Sequence, residues 1–97
     1  MMIKNYARIL VKDNSFSKDF NFELSQNLNN NIIIEFNNDN ASKIHLEFLN
    51  NHKKKSKKSV VVISAVLTNE NYLFTIVPTF QEALDIIELE EIERLIS

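Results

Sequence analysis

Two runs along the chain are almost continuously apolar, Ile32-Ile33-Ile34-Glu35-Phe36 and Val60-Val61-Val62-Ile63. Each is short, rich in β-branched residues and bounded by polar ones. Continuous rather than alternating apolar character marks strands covered on both faces, the condition of a parallel sheet. Between them Ala41, Ile44, His45, Phe48 and His52 recur at i, i+3, i+4, i+7 and i+11, which predicts one face of a helix over 41–54. Together these make a βαβ unit. Asp39 or Asn40 is placed to cap the helix, and the lysines from Lys53 onward fall at its carboxyl end, where the macrodipole favours positive charge.

Upstream, Tyr6 to Val11 predicts a further strand. Phe16, Phe20, Leu24 and Leu28 follow at a spacing of four, which a helix from about Ser17 brings onto one side, although Phe20, Phe22 and Leu24 also alternate as in a strand. Downstream, Leu73 to Val77 predicts a last strand closed by Pro78. Thr79, with Glu82 three residues on, forms a capping box at the head of a final helix. The link from Ala65 to Tyr72 is shorter than the dozen or so residues of a usual helical crossover. Either the crossover is clipped or the last strand runs antiparallel. The expected fold is a single small α/β domain over 1–97, with a mixed, mostly parallel sheet of four or five strands and three helices in the order β-α-β-α-β-β-α.

The final helix carries two apolar stripes. At ~100° per residue, Phe80, Ala83, Leu84 and Ile87 share one face and Glu91 returns to it, whereas Leu89, Ile92 and Ile96 gather on another. One straight helix cannot bury both against the same sheet. Either the chain bends near Glu88 and the acidic helical end, 89–97, protrudes or wraps around the domain, or the second stripe meets a partner. A homodimer through Leu89, Ile92 and Ile96 is one form of that partner.

Composition then removes function classes. The 97 residues contain no Gly and no Cys, so a glycine-dependent phosphate loop, a thiol nucleophile, a thiolate metal site and a disulfide are all excluded. Asn takes over as the turn residue, because it tolerates the left-handed conformation better than other non-glycine residues. Its 14 copies include the clusters Asn29-Asn30-Asn31, Asn37-Asn38 and Asn50-Asn51, expected at turns. Lys4, Arg8, Lys12 and Asp13 interrupt the amino-terminal apolar residues, and no run approaches the ~20 apolar residues of a membrane span, so the expectation is a cytoplasmic protein with no membrane partner.

The net charge of -2 hides a strong polarisation. Over 43–58, Lys43, Lys53, Lys54, Lys55, Lys57 and Lys58 face only Glu47, whereas over 81–97 Glu82, Asp85, Glu88, Glu90, Glu91 and Glu93 face only Arg94. The two segments are suited to attract each other, to pair between copies, or to face different partners. The lysine run is suited to an anionic protein surface or to RNA phosphates, although it lacks the aromatic residues on which single-stranded bases stack.

Candidate catalytic chemistry is sparse. His45 and His52 lie seven apart with no carboxylate cluster beside them, none of the eight serines sits in the glycine-flanked elbow of a hydrolase nucleophile, and Glu90-Glu91 lies on an acidic tail. No enzyme activity, metal or cofactor is expected.

The segment Phe74-Thr75-Ile76-Val77-Pro78-Thr79-Phe80-Gln81-Glu82-Ala83-Leu84 resembles the end of STAS domains, the fold of anti-sigma factor antagonists, in which a Phe-x-Ile strand leads into Ser/Thr-x-x-Glu-Ala-Leu. With Asp85 to Arg94 and the Lys57 to Val60 segment, it is similar to a family of small bacterial STAS-like proteins encoded beside ribonuclease Z and sometimes labelled with that enzyme's name. The chain lacks the histidine and aspartate cluster that the two metals of ribonuclease Z need, so the resemblance implies association with that enzyme or its RNA and not its activity. STAS phospho-switches carry Asp-Ser-Ser-Gly-Leu where a strand turns into the second helix. Here the turn reads Asn37-Asn38-Asp39-Asn40-Ala41-Ser42-Lys43-Ile44, in which only Asp39 and Ser42 echo the motif and the Gly is missing. The resemblance implies a regulatory or adaptor module with Ser42 as candidate phosphoacceptor and a kinase-like or sigma-related protein partner. The contact surface expected from it runs through Asp39, Asn40, Ser42 and Lys43 to Lys53, Lys54, Lys55, Lys57 and Lys58.

Overall fold

The computed structural model describes residues 6–12, 17–39, 41–68 and 71–96. Four strands form the sheet: β1 (Tyr6–Val11), β2 (Asn31–Phe36), β3 (Val60–Ile63) and β4 (Thr75–Val77). They lie in the order β1-β2-β3-β4, and every neighbouring pair is parallel. The helices are α1 (Ser17–Ser25), α2 (Lys43–Lys55) and α3 (Phe80–Ile96), with one 3-10 turn at Asn37–Asp39. The α/β class and the order of elements are those the sequence pattern implies. The open choice at the last strand resolves to a clipped crossover, since β4 is parallel to β3 and no helix intervenes over the described part of the link.

Each step along the sheet moves the same way, so right-handed connections all fall on one face. There α1, α2 and the link pack Phe20, Leu24, Leu46, Leu49 and Phe74 against Ile9, Val11, Ile32, Ile34, Phe36, Val60 and Val62. Helix α3 follows the last strand and covers the opposite face, where Ala83 and Ile87 meet Ile33 and Val61. Both central strands are thereby sealed on both sides, and Ile32, Ile33, Ile34, Val61 and Val62 are each 0% exposed. That accounts for their unbroken apolar runs.

Over 20–24 helical periodicity prevails. Phe20 and Leu24 are buried while Phe22 is 66% exposed, whereas a strand would put all three on one face. Leu28 lies past the helix end and is 38% exposed, so the spacing-of-four stripe stops at Leu24, and Phe16 lies outside the described residues.

In α2 the buried residues are His45, Leu46, Leu49 and His52, and Ile44, expected inside, is exposed. The expected stripe began at Ala41, which precedes the helix and so follows no helical phase. His52, expected nearer solvent, is buried as well. The helix is capped by Ser42 rather than Asp39 or Asn40: its hydroxyl accepts the His45 N–H at 3.3 Å. Asn40 lies outside the described residues, and Asp39 has another task.

Asparagine and aspartate do stand in for glycine at the turn after β2, where Asn38 (φ 55°) and Asp39 (φ 54°) are left-handed. Asn50-Asn51, by contrast, lies within α2, where the Asn50 carboxamide oxygen accepts the Leu73 N–H at 2.7 Å and so holds the link.

α3 runs as one helix from Phe80 to Ile96, unbroken at Glu88, and the Glu82 N–H donates to the Thr79 hydroxyl at 3.1 Å, one half of the expected box. Near its start the Arg8 guanidinium lies 4.2 Å from the centre of the Phe80 ring and also pairs with Glu35 at 3.0 Å.

Candidate interaction surface

In an open parallel sheet the strand carboxyl ends leave a crevice edge on which turns project. Here the turns after β2 and β3 share that edge. The Asp39 carboxylate joins them: one oxygen accepts the Ser64 hydroxyl at 2.6 Å and the other the Ala65 N–H at 2.8 Å. Ser64 in turn accepts the N–H groups of Val66 (3.2 Å) and Leu67 (3.0 Å). A carboxylate that takes two short hydrogen bonds across the edge fixes a turn without glycine. Asp39 is therefore a clasp, with both oxygens turned toward the chain.

Ser42 and Lys43 stand next to it, exposed at the amino end of α2. The Ser42 hydroxyl also meets Nδ1 of His45, whose ring packs edge-on against Phe20 (4.9 Å between centres) and Phe36 (6.2 Å). Burial pushes the His45 imidazole below its ordinary 6.5, and it pushes His52 down as well, aided by Lys53 and Lys55. Nε2 of each ring is buried without a hydrogen-bond partner, which favours the neutral form of both. Nε2 of His45 has no carboxylate partner among the described residues, and the Asp39 carboxylate is engaged with Ser64 and Ala65.

The lysine run lies at the other end of α2, about 20 Å away along a helix of 13 residues. It is not uniformly free. The Lys53 ammonium donates to the Lys58 carbonyl at 3.0 Å, and Lys58 approaches Glu91 at 3.9 Å, leaving Lys54, Lys55 and Lys57 exposed. The basic and acidic segments thus meet within one chain. Of the expected contact residues, Asn40 lies outside the described part of the chain, Asp39, Ser42 and Lys43 lie at one end of α2 and the lysine run at the other; an open cleft of about 390 Å³ runs from Lys43 past Leu46, Glu47, Asn50 and Asn51 of α2, with Asn71 and Tyr72 of the link on its other side.

A second polar cluster went unexpected. Asn31, 2% exposed at the start of β2, accepts the Ser59 N–H at 2.9 Å and an Arg94 N–H at 3.1 Å, and donates to Glu91 at 3.0 Å. Arg94 also reaches the Ser59 hydroxyl at 3.2 Å and pairs with Glu91. The hydrogen bond from Arg94, then that from Asn31, holds the Glu91 carboxyl below its ordinary 4.5. The sequence signal was present in part: Glu91 falls on the sheet-facing side, Arg94 follows it by three, and a polar residue opens each of the two apolar runs.

Among the described residues no group of three or more histidines, aspartates or glutamates is placed to hold a metal ion, and no helix is long and apolar enough to cross a membrane. Comparison of the chain with protein-family models, curated proteins and solved structures found no match.

Proposed function

We propose that this chain is a non-enzymatic, STAS-like regulatory or adaptor module of the bacterial cytoplasm. It acts by protein–protein contact, in the manner of a degenerate anti-sigma factor antagonist. The observation that carries the reading is Ser42: an exposed residue at the amino terminus of α2 whose hydroxyl caps the helix, on the carboxyl edge of the sheet, beside a turn that Asp39 clasps. A phosphate at that position adds about two negative charges where the helix dipole favours them, and changes what docks on Lys43 and the α2 cleft. The partner is a kinase-like or sigma-related protein.

Retention of native-cell proteins on tagged wild type, Ser42→Ala and Ser42→Glu chains tests this, with mass spectrometry of the native protein beside it. The expected result is a kinase-like or sigma-related partner whose retention differs between the two variants. Identical retention, with no phosphate on Ser42 under any growth condition, removes the switch.

A second reading, an accessory to ribonuclease Z in tRNA 3′ processing, is favoured by one observation: Lys54, Lys55 and Lys57 are exposed together at the far end of α2. Filter binding with tRNA at low salt decides it, since lysine contacts to phosphates weaken steeply with salt. No retention at micromolar protein ends that reading.

A further inference from the structure

The outward face of α3 is unaccounted for by the fold. Its sheet-facing side buries Ala83 and Ile87 and turns Glu91 and Arg94 inward to Asn31 and Ser59. Opposite them Leu89, Ile92 and Ile96 recur at i, i+3 and i+7, with exposures of 54%, 41% and 81%. Three large apolar side chains contiguous over two turns are a patch, unlike the single exposed apolar residues normal on any surface.

Charge says what covers it. At ~100° per residue the stripe is bordered by Glu82, Asp85, Glu88 and Glu93, while Arg94, the cation of this helix, is turned away. A second copy of α3 laid on the stripe would set carboxylates against carboxylates. The chain's own lysine end fits no better, because the outward side of α2 offers Ile44 as its exposed large apolar residue in place of a stripe. The complementary occupant is a helix with its own i, i+3, i+7 apolar stripe and lysines or arginines on either side.

We propose that the outward face of α3 docks a cationic amphipathic helix of another protein through Leu89, Ile92 and Ile96. Apolar contact supplies the affinity and the flanking carboxylates supply orientation and selectivity. This surface is on the opposite side of the sheet from the α2 cleft, so it stands or falls independently of Ser42. The chain then has two docking faces, one presenting Ser42 and lysines and the other carboxylates.

The test is a calorimetric titration of the full chain with three synthetic peptides of about sixteen residues, roughly four helical turns. One is a leucine/lysine amphipathic helix, one has the same composition in scrambled order, and one is a leucine/glutamate helix. The proposal expects micromolar binding of the first alone. The double variant Leu89→Ser/Ile92→Ser should weaken it more than about tenfold with circular dichroism unchanged. The variant Glu88→Gln/Glu93→Gln should weaken it less and flatten its salt dependence. Equal binding of the scrambled peptide, affinity indifferent to the serine variant, or no binding to any peptide overturns the proposal. So does light scattering that shows a dimer which the serine variant converts to monomer, because the occupant is then a second copy.

Discussion

On one face of the sheet, two helices and the 64–74 link bury Phe20, Leu24, Leu46, Leu49 and Phe74 in a continuous apolar layer. On the other, α3 works alone. Its fully buried apolar contacts are Ala83 and Ile87, and its far half is located by Asn31, Ser59, Glu91 and Arg94. Apolar packing is non-directional, so the first face gains stability from area and tolerates small displacements. Hydrogen bonds are directional, so the second face obtains position from a few atoms and depends on each.

The largest expected effect lies on the apolar face. Leu49→Ala removes a fully buried side chain from the centre of that layer and should cost about 2–5 kcal/mol, read by urea unfolding. Arg94→Ala comes next, at about 1 kcal/mol, because it removes a charged donor from Asn31, Ser59 and Glu91, of which Asn31 keeps the Ser59 N–H and half-exposed Glu91 keeps Asn31. Its signature is local: amide exchange should accelerate in the last turns of α3 while α2 stays protected. Equal loosening of both helices would dissolve the distinction between the faces. Ser42→Ala should cost about 1 kcal/mol as loss of the α2 cap, and should deprotect the first turn of α2 but not α3.

The gentlest probe is pH. Burial lowers the folded pKa of His45 and His52, so the unfolded chain binds protons more readily than the folded one. Stability from these groups is present above 6.5 and is lost as pH falls below it through their folded values. Glu91 is also lowered, and its contribution is present above 4.5 and lost only as pH falls below that. Acid should therefore loosen α2 before α3, with near-ultraviolet or NMR reporters on each helix showing the order. Simultaneous loss would show that the faces do not respond separately.

Much of this was legible in the chain. The two apolar runs identify the central strands because burial on both faces leaves no position for polar residues, and the Thr79 to Glu82 spacing marks the start of α3 through a local bond. Local bonds read well when their partners are adjacent in sequence. The Asp39 clasp does not, because Ser64 and Ala65 are brought to it only by the pairing of β2 with β3. Asn31 with Arg94 is the same case at greater separation. Ser42 as cap was missed for a different reason: Asp39, Asn40 and Ser42 all have capping side chains, and the left-handed pair at Asn38 and Asp39 decides which one the chain presents.

The all-parallel register also bears on how the chain reaches this state. Parallel pairing admits no hairpin, so Tyr6 must find Asn31, Ile32 must find Val60 and Val61 must find Thr75. The last pair spans half the sequence distance of the second, and halving a loop lowers its closure cost by about 0.6 kcal/mol. The short link therefore makes β3 with β4 the sheet contact with the shortest loop to close, and the valine-rich strand gains a partner before the isoleucine run must find it. Lengthening the link would leave the native structure nearly unchanged yet slow its formation, and it would prolong the interval in which two bare apolar segments are free to meet other chains.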